Sequence, residues 1–321
     1  MEHRYITIND LRLHFVTAGT PGAPLVVLIH GFPEFWYSWR HQIERLAQDG
    51  FYVVALDMPG YGESECSKDV SRYNQVALSD DVAALVSALG YDTFIPVGHD
   101  YGAPTAWHCA LRFPERVPAV VGMSIPYGGR PPVSPSKGFK RLFERQFFYI
   151  NYFQTPGVAE AELEANLEGF LRSFFYYSSG ESGGQFDTSS SAADSSYLEA
   201  LPDPKRLPEW LDETHFQKYV ENFKRNGLHG PLNYYRNFDE TWNKTEDLVE
   251  RKIECPALFL SGEYDPVTKF GAENERMDQW VPRVQKVEIP NCGHWIQQEA
   301  PQKVTDRMLE FLNDFKCSDS A

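Results

Sequence analysis

Asp100 occupies the centre of the segment PVGHDYGAPTAW, where a run of apolar residues is predicted to turn sharply into a helix. Gly98 and Gly102 flank this turn at positions where a β-carbon would collide with the neighbouring chain. The turn forces its central residue towards positive φ, which aspartate tolerates better than most residues other than glycine. An aspartate before a helix is also a common N-cap, so the turn alone is ambiguous. In the related GxSxG turn the central residue is a nucleophile, and here that nucleophile would be a carboxylate.

Two further polar residues follow predicted strands later in the chain. Asp265 lies in SGEYDPVT and His294 lies in NCGHWIQ. Taken singly, an aspartate before proline is ordinary turn chemistry and a loop histidine is an ordinary surface residue. With Asp100 they give the order nucleophile, acid, histidine, in which the second carboxylate fixes the tautomer of the imidazole and stabilises its protonated form. The three strand ends therefore predict nucleophilic catalysis, with His294 as the base and Asp265 as its orienting acid.

A fourth loop, HGFPEFWYSWR, follows the apolar run LVVLI. Its backbone N–H at Phe32 could pair with that of Tyr101 to form an oxyanion hole, and Gly31 allows the backbone to approach closely. The alternative is a simple strand-to-helix turn in which Pro33 acts as a breaker.

The elements that must position these groups are short apolar runs alternating with helical patterns. The runs are LVVLIH, FYVVALD, TFIPVGH and VPAVVGMSI, followed much later by ALFLSGE and QKVEIP. This rhythm is typical of a parallel sheet covered by helices on both faces, whose active sites lie beyond the carboxyl ends of the strands. Residues 5–16 alternate more and indicate an antiparallel edge hairpin. The predicted fold class is α/β, with a mostly parallel central sheet flanked by helices.

The strand rhythm stops between residues 130 and 247, where the sequence becomes helical and aromatic. We interpret this part as an inserted helical lid between two parts of the core, residues 1–129 and 248–321. Within it, the stretch SSGESGGQFDTSSSAADSS is small and polar, so we expect a flexible surface loop without secondary structure near residues 178–200.

The composition limits the function classes. The formal charge of −15 and the pI of about 5.1 argue against a nucleic-acid or anionic-membrane partner. Neither a membrane-spanning run nor a signal peptide is recognised, so we expect a cytoplasmic protein without membrane insertion, as a monomer or homodimer. Five cysteines show no metal-binding spacing and are expected to be reduced and structural: Cys66, Cys109, Cys255, Cys292 and Cys317.

Seven motifs along nearly the whole chain carry a family resemblance. In order they are HGFPEFWYSWR, DMPGYGES, GHDYGA, FFYINYFQTPGVAEAELE, GPLNYYRNF, SGEYDPV and CGHW. With them the chain resembles the soluble epoxide hydrolases of the α/β-hydrolase superfamily, in a form without the extra N-terminal domain that some members carry. The resemblance implies the α/β-hydrolase fold, with Asp100 as nucleophile, His294 as base and Asp265 as the orienting acid.

The resemblance also implies two lid tyrosines, Tyr149 and Tyr235, that grip the epoxide oxygen, and a cis peptide before Pro33. Tyr152 lies one helical turn from Tyr149 and is the alternative first tyrosine, just as Tyr234 neighbours Tyr235. A purely structural alternative is that all four tyrosines only pack their rings in the core. Candidate residues for an apolar substrate pocket are Phe35, Trp36, Tyr152 and Pro33, together with Phe139, Phe147, Phe148 and Phe153.

These residue types suit an epoxide. A carboxylate that attacks an epoxide carbon forms an ester, which water can hydrolyse, whereas serine would form a stable ether. The alkoxide released in the first step needs a proton, and a phenol with a pKa of about 10 is a suitable donor. The expected product is a vicinal diol, made from a small apolar epoxide and water without a cofactor or metal. Detoxification is one role that such a reaction serves, but the physiological substrate, the role and the stereochemical preference stay open.

Two alternatives use the same fold. A haloalkane or haloacid dehalogenase also forms an ester on aspartate, but haloalkane dehalogenases usually carry Trp after the nucleophile, where this chain has Tyr101. Many epoxide hydrolases share that Trp, so the substitution bears on the shape of the substrate. The second alternative is a non-catalytic ligand receptor, against which the complete set of acid, base and tyrosines argues.

Overall fold

The computed structural model describes residues 1–183, 185–269 and 273–316, and Cys317 lies outside the described residues. Within them eight strands form one sheet in the order β1-β2-β4-β3-β5-β6-β7-β8. The strands are β1 (Glu2–Ile8), β2 (Leu11–Ala18), β3 (Leu25–Ile29), β4 (Tyr52–Leu56), β5 (Ile95–His99), β6 (Val120–Met123), β7 (Ala257–Gly262) and β8 (Val284–Ile289). β1 pairs antiparallel with β2, β2 pairs antiparallel with β4, and all later pairs are parallel. The predicted fold class and the predicted edge hairpin are confirmed.

The inner strands β3 and β4 are apolar along their whole length because both faces of the sheet are covered there. In β3, Val26 and Leu28 point into one core layer, while Val27 and Ile29 point into the other. All five β3 residues are buried, as are all five of β4. A strand buried on both faces has no polar side to alternate with, so the sequence reads as a continuous apolar run.

The helices divide between the two faces of the sheet and the long connection between β6 and β7. They are α1 (Arg40–Gln48), α2 (Gln75–Ala88), α3 (Gly102–Arg112), α4 (Pro135–Leu142), α5 (Tyr149–Tyr152), α6 (Val158–Ala165), α7 (Leu167–Tyr177), α8 (Tyr197–Ala200), α9 (Glu213–Asn226), α10 (His229–Arg236), α11 (Phe238–Lys244), α12 (Glu273–Trp280), α13 (Ile296–Glu299) and α14 (Pro301–Leu312). Short 3-10 turns lie at Trp36–Trp39, Val70–Tyr73, Gly180–Ser182, Glu246–Leu248, Val267–Lys269 and Asn313–Phe315. α1 and α14 pack on one face of the sheet, and α2 and α3 pack on the other.

The connection between β6 and β7 contains α4 to α11 and, within its described residues, no strand. We call residues 135–248 the helical segment. Its helices have local signals at their ends: Asp212 caps α9 by accepting the N–H of His215 at 2.8 Å, and Gly227, with φ of 67°, ends the same helix. Within the region predicted to be helical, α6 and α7 are separated at Asn166, whose side chain accepts the N–H of Gly169.

The expectation that residues 178–200 lack secondary structure is wrong. A 3-10 turn covers Gly180–Ser182 and α8 covers Tyr197–Ala200, while Gly184 lies outside the described residues. Tyr197 is fully buried and packs edge-on against Phe170, with ring centroids 5.1 Å apart. The polar composition gave the wrong prediction because a single aromatic residue, Tyr197, anchors the end of the stretch in the core.

The turn after β5 has the geometry that the sequence predicted. Asp100 adopts φ of 49°. A β-carbon on Gly98 would collide with the carbonyl of Gly102, and one on Gly102 would collide with the carbonyl of Ile29. The two glycines therefore allow α3 to start directly above the sheet, with Asp100 held at the carboxyl end of β5.

Candidate active site

Three side chains from separate strand ends form a continuous polar chain. Nε2 of His294 lies 3.4 Å from Oδ2 of Asp100, and Nδ1 of His294 lies 3.1 Å from Oδ1 of Asp265. All three residues are buried, with relative exposures of 2% for His294, 6% for Asp100 and 0% for Asp265. The parallel sheet brings them together because β5, β7 and β8 all end at the same edge.

The charges of this chain stabilise one another. Burial favours the neutral imidazole, but the carboxylates of Asp265 and Asp100 raise the pKa of His294 well above its ordinary value. Burial likewise favours the neutral acid, yet His294 and the N–H of Phe32 lower the pKa of Asp100 below its ordinary value. The site therefore rests as a carboxylate on Asp100 beside an imidazolium on His294.

Ser124 is a fourth member that sequence reasoning missed. It follows β6, is fully buried and adopts φ of 74°. Its hydroxyl donates to Oδ2 of Asp265, and its oxygen lies 2.7 Å from Nδ1 of His294. A hydroxyl has one proton, so an oxygen that donates to Asp265 must accept from Nδ1–H. Ser124 and Asp265 together hold a proton on Nδ1 and leave Nε2 facing Asp100.

The loop after β3 supplies a hydrogen-bond donor to the nucleophile candidate. The N–H of Phe32 donates to Oδ1 of Asp100 at 2.7 Å. A β-carbon on Gly31 would collide with the side chain of Asp100, which explains the glycine at that position. The Phe32–Pro33 peptide is cis, as the family resemblance implied. The N–H of Tyr101, the other predicted oxyanion donor, follows Asp100 at the start of α3.

The buried carboxylate of Glu34 connects this loop to His99, which precedes Asp100, and to the segment that contains His294 and Gln297. Oε2 of Glu34 accepts the N–H of Gly31 at 3.1 Å and lies 2.7 Å from Nδ1 of His99. Nε2 of His99 donates to the backbone carbonyl of His294 at 2.8 Å. Oε1 of Glu34 accepts from the side-chain amide of Gln297 at 2.8 Å. Glu34 therefore holds the three loops in fixed relation from beneath the reacting side chains.

Two tyrosines of the helical segment face the same space as Asp100. Tyr149 and Tyr235 are 7% and 3% exposed, and their ring centroids lie 5.9 Å apart. Burial, and then the charge of Asp100, raise the pKa of both phenols, so both remain protonated at neutral pH. Within the described residues neither hydroxyl has a protein hydrogen-bond partner. Both hydroxyls are therefore available as donors to a ligand.

Two cavities meet at the polar chain. The larger has a volume of about 700 Å³ and is lined by Asp100, Tyr101, Tyr149 and Tyr235 along with many apolar side chains. The smaller, of about 10 Å³, is lined by Asp100, His294, Tyr149 and residues that include Ser178 and Phe174. The large cavity has the size of a small-molecule site, and the small one has room for about one water molecule beside His294.

Several residues expected in the substrate pocket lie elsewhere. Tyr152 donates its hydroxyl to Glu162 and lines neither cavity, so Tyr149 is the tyrosine that faces Asp100. Tyr234 donates to the carbonyl of Pro59 at 2.9 Å, which leaves Tyr235 as its cavity-facing neighbour.

The loop after β3 likewise does not contribute the expected pocket wall. Phe35 packs edge-on against Tyr219 at 5.3 Å, and the N–H of Trp36 donates to Asp57 at 2.8 Å. Neither of these residues nor Pro33 lines the two cavities, and the ring of Trp36 packs edge-on against His3. Phe147 and Phe153 are buried in the core, whereas Phe139 and Phe148 do line the large cavity.

Among the described residues, no group of three or more His, Cys, Asp or Glu side chains could hold a metal ion. In the same part of the chain, no helix has the length and apolar character needed to cross a membrane.

The fold and the polar chain are those of a known protein family. Residues 24–301 match the family described as the alpha/beta hydrolase fold. The matched residues include β3 to β8 and the polar chain at their carboxyl edge, so the chain belongs to the α/β-hydrolase fold family.

Comparison with individual proteins identifies the family of the chain within this fold. Epoxide hydrolase A of Mycobacterium tuberculosis is 39% identical over 311 residues, which cover 96% of each chain. Bifunctional epoxide hydrolase 2 of Rattus norvegicus is 36% identical over 97% of this chain and 55% of its own length. The crystal structure of Epoxide Hydrolase A from Mycobacterium thermoresistibile superposes with a TM-score of 0.92 at 39% identity, covering 97% of this chain and 98% of that one. The chain is an enzyme of the epoxide hydrolase family, as the sequence motifs indicated.

Proposed function

We propose that the enzyme converts apolar epoxides to vicinal diols through a covalent alkyl ester on Asp100. The observation that carries the proposal is the juxtaposition of two features in one cavity. One is the chain from Asp100 through His294 to Asp265, and the other is the pair of unpartnered phenols on Tyr149 and Tyr235. The first can form and release an ester, and the second can protonate the oxygen of an opening ring.

In the first step a carboxylate oxygen of Asp100 attacks one carbon of the epoxide, and the C–O bond of the ring breaks. The lowered pKa of Asp100 keeps the carboxylate ionised for this attack. Tyr149 or Tyr235 gives its proton to the leaving oxygen, which becomes the first hydroxyl of the product. Because the leaving group is an alkoxide, a strong base, this proton removes the main obstacle to ring opening.

Formation of the ester then changes the protonation of His294. Esterification removes the negative charge of Asp100, one of the two charges that raise the pKa of His294. The imidazolium therefore becomes more acidic, and its proton restores the tyrosine that donated in the first step. The result is a neutral imidazole beside the ester, with its Nε2 free to act as a base.

In the second step Nε2 of His294 takes a proton from water, and the hydroxide attacks the ester carbonyl of Asp100. The N–H groups of Phe32 and Tyr101 are the proposed donors to the oxyanion that forms. The intermediate then collapses: the imidazolium of His294 protonates the departing product oxygen, and the carboxylic acid formed on Asp100 gives its proton back to His294. The diol leaves, and the site returns to carboxylate and imidazolium, so protons balance over the cycle.

The helical segment is proposed to act as a lid over this reaction. This corresponds to the predicted division of the chain into a first core part, a lid of residues 130–247 and a second core part. Its Tyr149 and Tyr235 supply the acid, while the carbonyl of Ser178 accepts the N–H of His294 at 2.7 Å. The apolar lining of the large cavity, which includes Phe139, Phe148 and Phe238, supports alkyl or aryl epoxides as the substrate class.

The test is incubation with a styrene-oxide-type substrate and separately with a haloalkane. Vicinal diol from the epoxide, without halide release from the haloalkane, is the expected result. Halide release in place of diol would favour a dehalogenase. Saturable binding with no product from either compound would indicate a receptor, and both of these outcomes would overturn the proposal.

A further inference from the structure

One wall of the large cavity is a single stripe of α3. Tyr101, Pro104, His108 and Leu111 all line it, at spacings of three and four residues. Residues with this spacing share one face of a helix. The stripe starts beside Asp100, and eight residues at 1.5 Å each place His108 about 12 Å further along the helix axis. A chain extending from the reacting carbon along this wall therefore passes His108.

The imidazole of His108 has a fixed tautomer. Its Nδ1 lies 2.7 Å from the carbonyl oxygen of Pro104. A carbonyl can only accept a hydrogen bond, so Nδ1 carries the proton and Nε2 of a neutral ring is an acceptor. Burial, which is the largest influence, lowers the pKa of His108 to about 4, so the ring is neutral at pH 7. His108 thus presents a hydrogen-bond acceptor rather than a cation.

Three polar groups on the cavity wall are already engaged, whereas the side-chain amide nitrogen of Gln75 and the hydroxyl of Ser134 line the cavity without a partner among the described residues. Oγ1 of Thr241 accepts the N–H of Gln75 at 3.0 Å, and the hydroxyl of Thr245 donates to the carbonyl of Thr241 at 2.8 Å. The guanidinium of Arg130 donates to the carbonyl of Trp242 at 2.9 Å. Over residues 1–183, 185–269 and 273–316, Nε2 of His108 has no protein hydrogen-bond partner. A ligand that displaces water from this nitrogen without replacing the hydrogen bond is therefore disfavoured.

Apolar side chains make up much of the rest of the cavity lining. Phe139, Leu142, Phe148 and Ile150 come from the helical segment, and Leu111 continues the α3 stripe. Such a lining accepts a hydrocarbon chain and gives no hydrogen bond to a polar group at an arbitrary point along it. His108 therefore marks one position along a bound hydrocarbon chain where a hydrogen-bond donor is favoured.

We propose that His108 is a specificity-determining residue that accepts a hydrogen bond from a hydroxyl group on an otherwise apolar epoxide, about 12 Å from the ring. The inference rests on the proposed function, since it assumes that the epoxide reacts at Asp100. It names a substrate class, the lipophilic hydroxy-epoxides, and distinguishes them from simple alkyl or aryl epoxides of the same length.

The test uses two series of straight-chain terminal epoxides of increasing length, one ending in methyl and the other in a primary hydroxyl. For each length the measured quantity is the ratio of kcat/KM for the hydroxyl-ended to the methyl-ended compound. In the native enzyme this ratio should peak where the hydroxyl reaches about 12 Å from the ring. His108→Leu should lower the peak ratio about tenfold, because a site that hydrogen-bonds a hydroxyl discriminates against the analogue lacking it.

Two further variants separate recognition from general damage. His108→Gln keeps an acceptor and should retain part of the peak. His41→Leu makes the chemical change of His108→Leu at an exposed position on α1, and its ratio should match that of the native enzyme. A ratio without a peak in the native enzyme, or a peak that survives His108→Leu, would overturn the inference.

A carboxylate-ended series covers the cation of Arg141, which also lines the cavity. If carboxylate-ended epoxides are preferred over hydroxyl-ended ones and Arg141→Gln alone removes that preference, the polar end is recognised by Arg141 and the assignment to His108 is wrong. The methyl-ended series in the native enzyme tests the proposed function separately. No diol from any methyl-ended epoxide would contradict epoxide hydrolysis itself, whatever the ratios show.

Discussion

The two sides of the reaction cavity hold their functional groups by different physical means. At the carboxyl edge of the sheet, directed polar contacts position Asp100, His294 and Asp265. His294 forms ion pairs with both carboxylates, Ser124 hydrogen-bonds to His294 and Asp265, and the N–H of Phe32 donates to Asp100. In the helical segment, Tyr149 is positioned by the packing of its ring. That ring contacts Phe153 at 5.5 Å and Phe174 at 6.2 Å, whereas its hydroxyl is unpartnered among the described residues.

This difference separates two requirements of the proposed reaction. A base and its orienting acid must hold a defined proton position, which only directed polar contacts provide. A proton donor to a bound ligand must keep its hydroxyl free, which ring packing allows. Loss of a polar partner at the sheet edge should therefore impair ester hydrolysis, and loss of a hydroxyl in the helical segment should impair ring opening.

We expect the greatest loss of activity from His294→Gln. Without a base the ester on Asp100 cannot be hydrolysed, so diol turnover should fall by about 10⁴ while the ester accumulates. Intact-mass spectrometry after mixing with epoxide should show the enzyme heavier by one substrate molecule. Asp100→Ala, which lacks the nucleophile, should show no such gain. An unmodified His294→Gln protein would contradict the assigned roles.

The helical segment is tested by removing single hydroxyls. Tyr149→Phe and Tyr235→Phe should each slow ring opening by about 10² to 10³, since each removes a donor to the developing alkoxide. Tyr152→Phe is the matched control on the same short helix, because its hydroxyl binds Glu162 outside the cavity. It should keep activity close to that of the native enzyme. Rapid-mixing measurement of ester formation separates the two steps, and equal slowing of both by Tyr235→Phe would count against its role.

Ser124→Gly tests the fourth member of the sheet-edge group. Glycine accepts φ of 74° without strain, so the fold should be retained while the contact with Asp265 and His294 is lost. Hydrogen bonds to charged groups make larger contributions than neutral ones, so ester hydrolysis should slow by about 10- to 100-fold, with ring opening less affected. Ser124→Ala keeps the β-carbon and should slow ester hydrolysis similarly. Native rates of ester hydrolysis in both variants would contradict the positioning role.

The smallest expected effect is on stability. The folded-state pKa of His294 is raised above its ordinary value of 6.5, so its ionic contacts contribute fully below that pH and are lost as pH rises through the raised pKa. The difference in unfolding free energy between the native protein and His294→Gln should therefore shrink as pH rises above 6.5. Urea titrations of both proteins across this range measure it. A difference that is constant or grows with pH would contradict the imidazolium assignment.

Much of the architecture could be predicted because its signals are local. Short apolar runs located the six strands β3 to β8, and the paired glycines around Asp100 predicted its turn. The order of Asp100, Asp265 and His294 predicted which strand ends meet.

Ser124 was missed because serine after a strand is an ordinary residue. Its role comes from the position of β6 between β5 and β7, which only the assembled sheet provides. Similarly, Tyr149 and Tyr152 are three residues apart, a spacing that places both near one helix face, and the contact of Tyr152 with Glu162 on α6 distinguishes them. Phe35 and Trp36 were assigned to the pocket in error because their ring contacts, with Tyr219 and His3, join parts of the chain that are far apart in the sequence.

The central claim is that a single side chain, Asp100, forms a bond to carbon and is released by water attacking its own carbonyl. The direct test is one turnover in water enriched in heavy oxygen, followed by mass analysis of the peptide that contains Asp100. The proposed mechanism predicts that the label enters the Asp100 carboxylate and that the first diol released is unlabelled. Labelled diol with an unlabelled Asp100 peptide would show direct attack of water on the epoxide and would contradict it.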